Sequence, residues 1–444
     1  MRNKTIILLF AALMASAGVM GQENNKWSLK DCIDYARENN LSIKQQNINV
    51  EYQQNLYEQK KLDRVPSLNG SVGYQLSFGR ALDKTANEYR NQRFQYGSMG
   101  VRASVPLFQG FALQNQVKQN EANWRAAQNE LEAAKNDLAL NITAYYLQVL
   151  FDKELLEVAK EQHKVALEQV ENTQKLVEAG RVAEGNLMEI QAQAAREALN
   201  VTQMENNLTL SLLNLAQALD LEDPGNFNIV YPDMPELREQ DLMLPSTLFN
   251  TAVEIMPEIE ASRYNLESDE YALKAARGRL YPSLSLDAGW NTSVSKYKDE
   301  QNFDFNSRFR NNANQFIGVT INIPVFNNFS VRNNVKNSEL SIRSAKFELE
   351  KEKQVLRKEI QQAYADAEAA FQKYNSARVA VDSYEESLRY TEKKFSVGLV
   401  SPVDYSVARS DYIRAQSDFL QAKYEYVLRT KILDFYTGEP LILE

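Results

Sequence analysis

The chain writes one pattern twice. Val105-Pro106-Leu107-Phe108-Gln109-Gly110 returns as Ile323-Pro324-Val325-Phe326-Asn327-Asn328, and Leu176-Val177-Glu178-Ala179-Gly180 returns as Lys394-Phe395-Ser396-Val397-Gly398, both displaced by 218 residues. Upstream, Val65-Pro66-Ser67-Leu68 returns as Tyr281-Pro282-Ser283-Leu284. A period this long is not a small solenoid unit. It is a duplicated half, and each half reads helix, two strands, very long helix, turn, helix.

Residues 1–21 read as a secretory signal peptide. Arg2 and Lys4 supply charge, Ile6 to Leu13 form an apolar run too short to span with these flanks, and Ala15, Ala17, Gly18 and Gly21 offer small residues for cleavage. No cysteine sits at that junction, so a lipid anchor there is not expected. Cys32 is the single cysteine and cannot form an internal disulfide. Beyond the signal no apolar stretch reaches spanning length, which leaves a soluble protein or a membrane β-barrel, whose strands alternate. A net charge of -9 argues against nucleic acid as a partner. Gly 16 and Pro 11 in 444 residues are few, as a mostly helical chain requires.

Four segments alternate with period two, at about 67–78, 94–108, 283–292 and 315–326. Val72, Tyr74, Leu76 and Phe78 oppose Ser71, Gly73, Gln75 and Ser77; Met99, Val101, Ala103, Val105 and Leu107 oppose Ser98, Gly100, Arg102 and Ser104. In the second half Leu284, Leu286, Ala288 and Trp290 oppose Ser285, Asp287, Gly289 and Asn291, and Ile317, Val319, Ile321, Ile323 and Val325 oppose Gly318, Thr320 and Asn322. Amphipathic hairpins on a soluble core fit this pattern, and so do strands of bilayer-crossing length. The signal peptide and the aromatics near strand ends (Phe78, Tyr96, Phe108, Trp290, Phe326) favour the membrane. Four strands cannot close a barrel in lipid, where open edges leave backbone groups unpaired. The others must come from further copies, and three copies give twelve. Pro66, Pro106, Pro282 and Pro324 mark strand–helix junctions. The stretches 79–93 and 292–314 read as polar loops.

From about 110 to 178 and 328 to 396 there is no proline and almost no glycine. Leu356, Ile360, Ala363, Ala367, Ala370, Tyr374, Ala377, Val381, Tyr384 and Leu388 step by four and three, as do Trp124, Ala127, Leu131, Ala134 and Leu138. Tyr405, Ala408, Tyr412, Ala415, Phe419, Ala422 and Tyr426 continue the spacing after the second turn. This is a coiled-coil seam. Its Ala and Tyr content suits a hollow, wet wall, and a coiled-coil stalk fits it too. The expected organisation is a signal peptide at 1–21, a first repeat at 22–219, a proline-rich belt at 220–245 that gathers the chain ends, a second repeat at 246–437 and a tail at 438–444.

With the duplication and the turn Phe395-Ser396-Val397-Gly398-Leu399-Val400-Ser401-Pro402-Val403-Asp404, the mature chain resembles the TolC family of outer-membrane efflux ducts. The resemblance implies a mainly α fold with membrane β: a homotrimer whose twelve-stranded β-barrel in the outer membrane continues into an α-helical barrel across the periplasm. It implies a periplasmic adaptor (membrane fusion protein) and an inner-membrane RND or ABC transporter as partners. The adaptor's hairpin tips would dock on the turns at Gly180 and Arg181 and at Val397, Gly398 and Leu399. Asp404 falls on the first aspartate position of the family's closing ring, and Val407 occupies the second. The family's linking arginine falls on Val400, its aspartate partner on Asn186 and its tyrosine on Phe395, so the usual closing network is absent.

Chemistry is sparse. His163 is the only histidine and reads as a solvated helix residue. No catalytic triad, phosphate loop or His/Cys metal cluster can be assembled. The chain is expected to be no enzyme, to need no cofactor, and to draw energy from its pump. Export of drugs and toxic small molecules is the first reading. Type I protein secretion with an ABC transporter is the alternative, and a non-conducting envelope stalk is the third. The acidic balance leads to the expectation that the open duct prefers cations.

Overall fold

The computed structural model describes residues 26–83, 88–232, 237, 242–298 and 301–443. The signal peptide and Pro235 of the belt lie outside them. In chain order the elements are α1 (Leu29–Asn39), α2 (Leu41–Leu62), β1 (Ser67–Asp83), β2 (Glu88–Gln109), α3 (Ala112–Glu178) and α4 (Glu184–Ala218). After a 3₁₀ turn at Pro224–Asn226 come α5 (Pro245–Ile255), α6 (Pro257–Gly278), β3 (Ser283–Tyr297), α7 (Phe305–Asn311), β4 (Asn314–Asn322), α8 (Ser330–Ser396) and α9 (Pro402–Thr437). The chain divides into two compact units, and each draws on both repeats. One takes the chain up to Gln45 with Glu132–Met256 and Val355–Glu444; the other takes Gln46–Leu131 and Pro257–Gln354. The helices α3 and α8, 67 residues each and about 100 Å long at 1.5 Å per residue, supply residues to both units.

The first unit is helical. Its core begins at α1, where Leu29, Cys32, Ile33 and Ala36 line one face at helical spacing. Ser28 accepts from the Asp31 amide while Asp31 accepts from Ser28, a capping box that satisfies two otherwise orphaned donors. The Ser28 hydroxyl, then its backbone N–H, hold the Asp31 carboxyl below the usual range. These residues join Ile142, Tyr146, Val149, Leu215, Leu219 and Ile229 in one cluster, with Trp27, Leu441 and Leu443 packed against it. Trp27 bridges to Ile229, and the buried Tyr146 hydroxyl donates to the Val230 carbonyl at 2.6 Å. The proline-rich segment and both described chain ends therefore meet in one belt. Cys32 is fully buried there, and burial, with Asp31 nearby, pushes its thiol up to about 12. The thiolate is the reactive form. Cys32 should stay unlabelled by a maleimide in the folded protein and label fully after denaturation; rapid native labelling would contradict this packing.

The coiled-coil seam is present in part. Leu356, Ile360, Ala363, Ala367, Ala370 and Tyr374 are buried, and Tyr374 stacks on Phe419 and Tyr426 at 5.4 and 6.2 Å. Further along, Ala377 and Val381 are half-buried and Tyr384 is exposed, before Leu388 is buried again.

The second unit holds one antiparallel sheet in the order β1-β2-β3-β4. Its register sets Val72 beside Met99, Val101 beside Trp290, and Leu286 beside both Val105 and Val319. The paired members of the apolar sets thus fall on one face and those of the polar sets on the other, because side chains alternate with period two. Among the described residues, the outer edges of β1 and β4 have no strand partner.

Several expected boundaries move. Residues 79–83 and 88–93 are strand rather than loop, and 84–87 lie outside the described residues: β1 runs to Asp83 and β2 begins at Glu88, with Phe78 beside Arg93 and Leu82 beside Tyr89. Backbone pairing needs no apolar side chains, so polarity there did not mark a turn. Likewise β3 continues to Tyr297, and 292–314 contains α7. Past Asn291 that edge of β3 is capped by side chains, as Asn312 and Arg308 donate to the carbonyls of Ser293 and Ser295. Pro106 lies inside β2, at a bulge between Pro106 and Phe108, rather than at its end. Strand β4 stops at Asn322, two residues before the donorless Pro324, so Ile323 and Val325 are not in it.

The long helices start two residues later than expected because a left-handed pair turns each strand into its helix. Gly110 and Phe111 have φ of 60° and 64°, and Asn328 and Phe329 have 53° and 59°. Phe111 packs edge-on against Phe108 at 5.4 Å, as Phe329 does against Phe326 at 5.6 Å. Gly110 is required twice over, since a Cβ there would lie 2.1 Å from the Gly278 carbonyl oxygen.

Candidate docking tips and constriction

Two helix–turn–helix tips close in the same way. At the first, the Gly180 N–H donates to the Val177 carbonyl at 2.8 Å and the Arg181 N–H to Leu176 at 2.9 Å. At the second, Gly398 donates to Phe395 and Leu399 to Lys394, both at 2.9 Å. Each is a Schellman closure with glycine in the left-handed position, at φ 68° and 76°. A Cβ at either glycine would meet nothing within 4 Å. The glycines are therefore needed for backbone shape, not for internal room.

The second tip is apolar outside. Val397 and Leu399 are 68% and 74% exposed, and Val403 and Val407 are also exposed. The first tip offers Arg181, exposed, and Asn186, half-buried within the first turn of α4. Beneath them Ile190, Leu388 and Tyr405 form a small buried cluster, and Phe395 stacks on Tyr405 with ring centres 5.0 Å apart.

Asp404 sits at the third residue of α9. Its amide donates to the Ser401 hydroxyl at 3.2 Å, and its carboxylate accepts from the Ser401 N–H at 3.2 Å and hydroxyl at 2.8 Å. This capping box fixes the start of α9 behind Pro402. In the first repeat Ala183 stands at the corresponding cap and gives no side-chain bond. Asp404 and Val407 lie one turn apart on exposed positions of α9, while Asn186 belongs to α4.

Between α9, α3 and α4 lies a buried polar network that the sequence pattern does not mark. Arg409 is 1% exposed on α9. It donates from Nη1 to the Tyr405 hydroxyl at 3.3 Å, and from Nη2 to the Gln162 carbonyl and to Gln162 Oε1 at 3.2 Å. Its Nε has no partner. Gln162 also donates to Gln416, and Ser406 to Gln193. Arg409 follows Tyr405 by four residues, which placed it beside the seam, but spacing alone does not say that a charge is enclosed. Nearer the belt, Lys423 donates to Glu154 at 2.9 Å, and the Tyr424 hydroxyl donates to the same carboxylate at 2.7 Å. Burial, then Glu154, pushes the Tyr424 phenol up. His163, read as solvated, is half-buried on α3.

The profile of the family described as "Outer membrane efflux protein" matches residues 32–220 and 248–439. The chain is 24% identical over 440 residues to the outer membrane efflux protein BepC of Brucella suis biovar 1 (strain 1330), covering 97% of this chain and 90% of that one. Among solved structures it is similar to the CmeC outer membrane channel of Campylobacter jejuni, with a TM-score of 0.76 at 21% identity over 94% of this chain and 86% of the other. It is likewise similar to CusC, with a TM-score of 0.76 at 18% identity over 96% of both chains.

Proposed function

The chain belongs to the outer membrane efflux protein family, and from that premise we propose that it is the passive exit duct of a tripartite efflux system. Small toxic molecules pass from an inner-membrane RND or ABC transporter, through a periplasmic adaptor, into a homotrimer of this chain and out of the cell. The observation that carries the reading is a four-stranded sheet, apolar on one face and polar on the other, whose outer edges have no strand partner among the described residues. In lipid such edges must pair with other copies, and three copies make twelve strands around a polar lumen. Strands β1 and β2, of 17 and 22 residues, exceed the roughly 9–11 that a tilted crossing needs, so their hairpin extends past the bilayer. The apolar tip around Val397, Gly398 and Leu399 supports adaptor docking, with Gly180 and Arg181 as the second contact. Asp404, Val407 and Asn186 are proposed to line the periplasmic constriction.

In-cell photo-crosslinking from Leu399, with the captured protein identified by mass spectrometry, tests this reading. The expected capture is a periplasmic adaptor encoded beside a drug or ion pump. An adaptor partnered with a protein-secreting ABC transporter would replace the small-molecule reading with type I secretion. Capture of no protein by correctly inserted channels would overturn the duct.

A further inference from the structure

The central rows of the sheet's polar face carry little charge. In the rows from Ser98 to Ser104, with their partners on β1, β3 and β4, the charged side chains are Arg102 and Asp287. They are presented unequally. Asp287 is 18% exposed by side chain and is covered by hydroxyls, with Ser285 donating at 3.1 Å and Thr320 at 3.4 Å. Arg102 is 67% exposed, and its approach to Asp287 is a loose 3.9 Å from Nε. The face therefore shows its neighbours a guanidinium and keeps its carboxylate occupied.

An aromatic ring accompanies that guanidinium. Arg102, Gly289 and Phe316 stand in one row across β2, β3 and β4. Gly289 leaves a notch into which Phe316 lies, because a Cβ there would come within 2.7 Å of the ring. The Arg102 guanidinium stands 5.8 Å from the ring centre. Planar oxyanions bond to the arginine fork in a bidentate manner, and the apolar body of such a solute can rest on the adjacent ring.

We propose that Arg102 and Phe316 form an organic-anion-recognising girdle in the barrel lumen, for solutes that carry carboxylate or sulfonate groups on an aromatic body. This rests on the duct reading, which closes three copies of the sheet with the polar face inward and so sets three guanidiniums at one level. Asp287 competes with the incoming anion for Arg102. Removing that carboxylate should strengthen capture, and removing the guanidinium should weaken it about tenfold. The girdle also opposes the cation preference expected from net charge, because permeating solutes respond to the side chains that line the path.

The test uses the full-length protein reconstituted in planar bilayers, with 1,3,6-naphthalenetrisulfonate added from the barrel side. Wild type should be blocked at a concentration about tenfold lower than Arg102→Gln, and Asp287→Asn should be blocked at a lower concentration than wild type. Block should weaken with added salt, as screening demands. Arg102→Lys keeps the charge without the fork and should fall between wild type and Arg102→Gln. Equal block of wild type and Arg102→Gln in conducting channels overturns the girdle and leaves the duct reading standing. Absence of conductance from inserted wild-type protein overturns the duct reading, and the girdle with it.

Discussion

Replacing Gly398 by valine is expected to lower adaptor capture at the second tip by about tenfold and to abolish export, while membrane insertion is unchanged. Gly398 holds φ at 76°, and its Cβ position is open. The substitution therefore creates no clash within the chain. What it adds is strain, because an L-residue in the left-handed region costs about 1–2 kcal/mol, equivalent to roughly tenfold in an equilibrium. The cheapest relief is to unwind the last turn of α8 and lose the closures from Gly398 to Phe395 and from Leu399 to Lys394. Val397 and Leu399, the proposed contacts, would move with it. Asparagine tolerates the left-handed region, so Gly398→Asn should retain most capture. Undiminished crosslinking from Leu399 in the Gly398→Val protein would show that tip shape does not govern docking. Reduced capture by both variants alike would instead point to side-chain bulk.

How far the sequence carried the fold depends on which physical signal marked each part. Period-two alternation predicts the common apolar face of Val72, Met99, Val101, Leu286 and Val319, because one buried or lipid-facing side enforces it at every second residue. It says nothing about β1 beyond Phe78, where no such side is needed and Arg80 to Asp83 still pair with β2. The left-handed pairs at Gly110–Phe111 and Asn328–Phe329 were also unreadable, since phenylalanine at positive φ contradicts local preference and is imposed by the strand-to-helix turn. At the tips the glycines announced themselves, whereas the capping box between Ser401 and Asp404 is visible only in the structure. That box gives Asp404 a structural task independent of any lumen role. The enclosure of Arg409 stayed hidden because burial of a flanking charge depends on tertiary packing, here of α9 against Gln162 of α3.

That enclosure makes a second strong prediction: the double variant Arg409→Met with Tyr405→Phe should be more stable than wild type by about 1–3 kcal/mol. Arg409 is buried within a single copy, so a neighbouring copy cannot reach the guanidinium to supply a counter-charge. Among the described residues no carboxylate pairs with it, and its Nε is unpartnered. The effective penalty for burying such an ion is several kcal/mol, while a hydrogen bond to a charged group returns about 1.5–3. Each single change should look worse than the pair. Tyr405→Phe removes one acceptor from a buried cation, and Arg409→Met strands a phenol that burial already pushes up in pKa and the nearby cation pulls down. The double change removes both liabilities while methionine keeps the packing volume, so the two effects should couple favourably. Thermal unfolding followed by helical circular dichroism reads the cycle, and a double variant less stable than either single would refute the charge-burial argument. If the stabilised protein also exports poorly, the network serves position rather than stability. Arg409 ties α9 to α3 through Gln162, two turns from its capped start, and so sets where Asp404 and Val407 stand at the proposed constriction.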